Sequence, residues 1–140
     1  MSALPAGYEL RDGADALAAQ AFLVDSYWNK GISVEAVQSS INNSMVVSAW
    51  FGERQVGMAR VVSDRVTIAY LNDVYVLPGH RGRGVAAAMI ATLRAREEFA
   101  EVGRWLLFTK DSQSFYARQG WRAYPWPERT MIIDDKVFPQ

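Results

Sequence analysis

The sequence predicts a mixed α/β domain, a mostly antiparallel central sheet flanked by helices. Three observations carry this expectation. Three β-rich runs follow one another between residues 45 and 76 with turn residues between them, the pattern of an antiparallel meander. Helix-spaced segments precede and follow that block instead of alternating with it, which excludes a regular βαβ series. Finally, the apolar run LNDVYVLP (71–78) hands over through GHRGRG (79–84) to an alanine-rich helix.

Taken in order, YELRD (8–12) reads as a short first strand. Asp12 or Asp15 then caps a helix whose apolar positions are Leu17, Ala18, Ala21, Phe22 and Val24, broken by WNKG (28–31). Ser33, with Glu35 just after it, opens a second helix that runs to about Ile41 and stops at NNS. In MVVSAWFGERQVGMARVVS (45–63), Gly52-Glu53-Arg54 separates two strands as a hairpin turn. Ser63-Asp64-Arg65 makes the next turn, into VTIAYLNDVYV (66–76). The glycine loop and a helix over roughly 84–99 follow. RWLLFT (104–109) reads as a buried strand, SQSFYARQ (112–119) as a short helix ended by Gly120, and TMII (130–133) as a last strand. No repeat, low-complexity tract or linker interrupts the chain, so residues 1–140 are read as a single domain.

Composition narrows the function classes. Half of the 140 residues are hydrophobic and the formal net charge is zero, so the basic excess of a general nucleic-acid binder is lacking. Without cysteine there is no disulfide framework, thiolate metal site or cysteine nucleophile. One histidine, His80, makes no metal site and reads as a surface loop residue. No apolar run is long enough to span a bilayer, and the N-terminus lacks the regions of a signal peptide. The expectation is a cytoplasmic protein without membrane or nucleic-acid partners.

The loop carries the chemistry. Residues 79–84 hold three glycines and two arginines where a strand meets a helix. A helix N-terminus exposes unpaired N–H groups and partial positive charge, glycine lets a ligand approach the backbone, and arginine suits phosphate oxygens. Together these describe a diphosphate cradle. Gly79 and Gly84 have the spacing of a Walker loop, but Val85-Ala86 stand where Lys and Ser/Thr are required. Gly82-Arg83-Gly84-Val85-Ala86-Ala87 fits G-x-G-x-x-A, yet an antiparallel meander precedes it, which argues against a nicotinamide fold.

A third pattern covers more of the chain. Arg81-Gly82-Arg83-Gly84-Val85-Ala86 resembles the R/Q-x-x-G-x-G/A signature of the GCN5-related N-acetyltransferase (GNAT) family. FYARQGW (115–121) resembles that family's second motif, and the element order agrees from the first strand to Trp121. The resemblance implies that the fourth and fifth strands part, with the pantetheine of acetyl-CoA in the gap. Backbone groups of Val74, Tyr75 and Val76 would then pair with it, one amide facing the thioester carbonyl. The amides from Arg81 to Ala86, through Gly82, Arg83, Gly84 and Val85, would hold the pyrophosphate.

By the same resemblance, Tyr116 matches the tyrosine that protonates the departing thiolate. An ordinary phenol, at a pKa of about 10, lies close enough to a thiol, at about 8.5, for that transfer. The alternative is a tyrosine that packs the short helix. Asp73, a carboxylate in an apolar strand, is the candidate general base, or else a hydrogen-bonded structural residue. Many family members carry Asn or His before the tyrosine, where this chain has Thr109, Asp111, Ser112 and Gln113. Tyr27, Trp28 and Asn29 fall in the variable substrate loop, and Trp121, Tyr124 and Trp126 add aromatics near the C-terminal edge. These aromatics equally describe a core edge or a contact in a homodimer. The function expected is acetyl transfer from acetyl-CoA, without a metal, to a primary amine. The alternative is a non-catalytic acetyl-CoA binding module.

Overall fold

The computed structural model describes residues 4–135. Its strands are β1 (Tyr8–Asp12), β2 (Met45–Phe51), β3 (Arg54–Ser63), β4 (Ala69–Val76) and β5 (Trp105–Leu106). Its helices are α1 (Ala16–Leu23), α2 (Val34–Asn42), α3 (Val85–Arg94) and α4 (Gln113–Arg118). The sheet order is β1-β2-β3-β4-β5. Pairing is antiparallel through β4, and β5 joins β4 in parallel at Ala69 and Tyr70. The chain divides into two compact units, one ending at Leu107 and the other starting at Phe108.

Helices cover both faces of the sheet. Ala16, Ala19 and Leu23 of α1 and Val37 and Ile41 of α2 pack on Val46, Met58 and Tyr75. Opposite them, α3 packs on β2, β3 and β4 through Val85, Met89, Ile90 and Leu93. Central strands covered twice read as near-continuous apolar runs, which explains VVSA in β2 and VGMA in β3.

Helix starts follow side-chain chemistry. Asp15, rather than Asp12, caps α1 by accepting from the Ala18 amide at 2.9 Å, and Ser33 caps α2 by accepting from Ala36 at 3.1 Å.

Four expectations are corrected. The buried stripe of α1 is Ala16, Ala19 and Leu23, while Leu17 is two-thirds exposed; in so short an apolar helix several faces satisfy the period. The helix after the glycine loop ends at Arg94, and a separate turn, Glu97–Phe99, follows. There the Arg96 guanidinium pairs with Asp12 and Glu98. The fifth strand is two half-buried residues instead of six buried ones, because its ladder with β4 stops at Tyr70. TMII forms no strand; Met131, Ile132 and Ile133 are strongly exposed. β propensity reflects fit to a paired, half-buried surface and does not make a strand by itself.

Candidate active site

The candidate site begins where the β4–β5 ladder ends. Beyond Tyr70 and Leu106 the two strands no longer pair, so the rest of β4 has a free edge on the β5 side. A bulge shapes that edge. Asn72 pairs with Arg60 and Tyr75 with Met58, so Asp73 and Val74 together stand opposite Ala59. Asp73 has φ of 50°, a left-handed conformation that Asp tolerates better than most residues, and its N–H donates to the Asn72 side chain at 2.9 Å.

Backbone alternation then decides which groups face the gap. The Leu77 N–H donates to Val56 O across β3 at 2.8 Å, which turns Val76 outward. Consistently, Val76 O accepts from Arg81 Nε at 2.8 Å and not from β3. One step further back, Tyr75 faces β3 and Val74 faces the gap. Of the three backbone positions expected along a bound pantetheine, Val74 and Val76 lie on the open edge and Tyr75 does not. The Tyr75 side chain is buried, stacked on Phe22 with ring centroids 4.4 Å apart. Burial raises its hydroxyl pKa, offset in part by the hydrogen bond from Gln55.

The glycine loop follows without a break. After the turn Pro78–His80 the chain passes Gly82 (φ 75°) and Gly84 (φ 81°), the latter being the N-cap of α3. No side chain caps this helix, so its first-turn amides are left for a ligand. A Cβ placed on Gly82 would meet no described protein atom within 4 Å beyond its chain neighbours, so the backbone there is open to approach. Val85 anchors the helix in the core, and Ala86 is half-buried.

Both arginines brace the loop. Arg81 ties the loop to Val76 O, and Arg83 Nη1 donates to the Tyr8 hydroxyl at 3.3 Å. That hydroxyl lies 2.7 Å from His80 Nδ1, and the two rings meet edge to face. His80 is thus a brace between β1 and the loop, a role its sequence position did not disclose.

Asp73 is 4 % exposed and its carboxylate accepts three side-chain hydrogen bonds. Oδ1 accepts from Trp28 Nε1 at 2.8 Å and Asn29 Nδ2 at 3.0 Å, and Oδ2 accepts from Arg60 Nε at 2.8 Å. Arg60 also donates to Ser44 Oγ at 3.0 Å. Two of the three residues expected to wall an acceptor pocket therefore aim their polar groups inward. Tyr27, its ring 5.0 Å from that of Trp28, is the exposed member. Sequence reasoning missed Arg60; the available signal was an arginine within the apolar run QVGMARVVS, one strand away from LND.

Tyr116 belongs to α4 in the second unit. Its N–H donates to Ser112 O at 3.1 Å, and its carbonyl accepts from Gln119 at 2.9 Å and Trp121 at 3.1 Å. Phe115 and Trp121 meet its ring edge-on, at 5.0 and 6.1 Å. Tyr124 and Trp126 are about half exposed, and Arg129 lies over the Trp126 ring. Among the described residues, no group of three or more His, Asp or Glu side chains is placed to hold a metal ion. Among the described residues, no helix is long and apolar enough to cross a membrane.

A mixed sheet whose short parallel fifth strand joins only the start of the fourth, beside a glycine-capped helix, is an acetyltransferase-like architecture. Residues 42–123 match the acetyltransferase (GNAT) domain, and the chain belongs to the GNAT family. It is similar to a GNAT-family protein of Xanthomonas campestris pv. campestris of known crystal structure. The two are 33% identical, covering 97% of this chain and 96% of the other, with a TM-score of 0.87. A GNAT-family acetyltransferase of Streptococcus pneumoniae shares the fold at 19% identity, with a TM-score of 0.73 over 92% of this chain and 98% of that one. A protein named a histone acetyltransferase in Glycine max is 39% identical over 75 residues, 52% of this chain and 32% of that protein. The chain spans only about a third of the length of the curated relatives it matches.

Proposed function

We propose that this chain is an N-acetyltransferase that moves an acetyl group from acetyl-CoA to a primary amine, of a small molecule or a protein, by direct attack. The observation that carries the reading is the stretch of β4 from Leu71 to Val76 that β5 leaves unpaired, followed within a few residues by the uncapped start of α3. Its length suits a ligand with an extended, amide-bearing arm and a diphosphate. Acetyl-CoA has both and supplies the acetyl group as a thioester.

In this reading Val74 and Val76 pair with the arm. The amides from Gly82 to Ala86 hold the diphosphate, and the partial positive charge of α3 offsets its charge. The Val74 N–H points to where negative charge grows on the carbonyl oxygen as the amine nitrogen bonds to the carbonyl carbon. Breaking the carbon–sulfur bond leaves a thiolate, to which Tyr116 gives its hydroxyl proton. With the Asp73 oxygens held by three donors, water takes the proton that the amine loses. Tyr27 presents the exposed ring of the acceptor loop.

No cysteine is present to carry an acetyl group, so both substrates must be bound together when transfer occurs. Initial rates measured against each substrate at several fixed levels of the other test this. Intersecting lines support direct transfer. Parallel lines, with an acetylated protein that passes its group to amine, contradict it.

A further inference from the structure

We infer that Asp73 serves the acceptor side of this site as a positioning residue, locking residues 26–31 to the bulge of β4, and not as the base that deprotonates the amine; the inference rests on the acetyl-transfer reading above.

The hydrogen bonds favour this role. A carboxylate offers about four acceptor positions, and three here hold donors from two separate segments. A proton arriving on Oδ1 would displace Trp28 or Asn29, and one arriving on the remaining position of Oδ2 would neutralise the charge that balances Arg60. Arg60 is itself 8% exposed, so its charge is balanced where it lies by Asp73 and would otherwise be buried alone.

The backbone favours it too. Asp73 occupies a sparsely populated conformation, which persists only where the surroundings over-determine it. Here the surroundings are the Trp28, Asn29 and Arg60 side chains. The next residue is Val74, whose backbone faces the gap. One carboxylate thus holds both the acceptor loop and the bulge that turns Val74 outward.

The loop has the matching design. Ser26 Oγ donates to Leu23 O at 2.7 Å and accepts from the Asn29 N–H at 3.0 Å, while the Gly31 N–H reaches Val24 O at 2.8 Å. These bonds shape the loop internally. Trp28 and Asn29 fasten the loop to β4 through their side chains, and Trp28 meets the Tyr27 ring edge-on. Weakening the fastening should therefore blunt amine recognition before it touches the phosphate cradle.

The test uses Asn29→Ala and Trp28→Phe, which keep the carboxylate, beside Asp73→Asn and the Asn29→Ala/Asp73→Asn double variant. Four quantities are read: amine KM, kcat/KM against pH, acetyl-CoA affinity by calorimetry, and hydrogen exchange of residues 24–33. Loss of a hydrogen bond to a charged group should raise amine KM about tenfold in each single variant. Exchange of the loop should speed up, while acetyl-CoA Kd stays within about twofold in Asn29→Ala and Trp28→Phe, which keep the carboxylate at the bulge. Asp73→Asn should keep the acidic limb of its pH profile, and the double variant should be no worse than Asp73→Asn. Loss of that limb in Asp73→Asn, with Asn29→Ala and Trp28→Phe kinetically normal, would overturn the inference in favour of a base. So would faster loop exchange with an unchanged amine KM. If Asp73→Asn does not fold, the other two single variants decide. If the wild type acetylates no amine, the acetyl-transfer reading fails by itself; unchanged loop exchange in the variants would then separately overturn the fastening.

Discussion

Gly82→Ala isolates the phosphate cradle from the rest of the fold. The added methyl group meets nothing in the protein within 4 Å, so no packing is lost or strained. The backbone cost comes from φ of 75°, a left-handed conformation that disfavours an L-residue by about 1–2 kcal/mol, less a few tenths regained because the unfolded chain becomes stiffer. A net loss of about 1 kcal/mol lowers Tm by about 4 °C in a chain of this size. Binding should suffer more. The methyl group stands where a diphosphate approaches the backbone, and losing one charge-assisted hydrogen bond there weakens binding about 10- to 100-fold. Thermal unfolding without ligand and calorimetric titration with coenzyme A measure the two effects separately. Gly79→Ala is the control, because its Cβ also meets nothing and its φ lies outside the left-handed region, so neither quantity should move. Unchanged coenzyme A affinity in folded Gly82→Ala, or an equal loss in Gly79→Ala, would refute the cradle.

Tyr116→Phe keeps the ring and removes the hydroxyl, so at saturating amine kcat should fall about 100-fold while acetyl-CoA still binds; wild-type kcat would assign the residue to packing. Leu23→Ala, at a fully buried position, should cost about 2–5 kcal/mol in urea unfolding, against less than about 0.5 for the exposed Leu17→Ala. Asp64 at the β3–β4 turn accepts from the Val66, Thr67 and Ile68 amides and from the Thr67 hydroxyl, which holds its carboxyl well below the usual range. A pKa lower in the folded state gives stability that is complete above the ordinary value of about 4 and is lost as pH falls toward the folded value. Asp64→Asn should flatten that acid arm in unfolding measured across pH, and an unaltered arm would contradict the assignment.

What could be read from the sequence was what is local along the chain. The glycine loop is contiguous, its conformation is demanded by Gly82 and Gly84, and its helix starts at the next residue, so the glycine-turned entry into α3 was legible before any contact was known. The meander was legible for the same reason, since each turn carries its own signal. Asp73 was visible as an oddity, but its meaning was not. Trp28 and Asn29 lie more than forty residues earlier in the chain, and only the strand register brings Arg60 beside the carboxylate. His80 is similar, because Tyr8 reaches it from the opposite end of the first unit. Backbone direction was also hidden: a one-residue bulge decides that Val74 and Val76 face the gap and Tyr75 does not. TMII misled because its composition suits a strand whether or not an edge is there to pair with it.

Acetyl transfer itself is tested most directly by following free thiol release from acetyl-CoA with a panel of primary amines, small molecules and lysine peptides together, and weighing the amine product by mass spectrometry. The account predicts that at least one amine raises thiol release well above the amine-free rate and gains one acetyl group per thiol freed. Thiol release that no amine accelerates, in a folded protein that binds acetyl-CoA, would contradict it and leave a binding module.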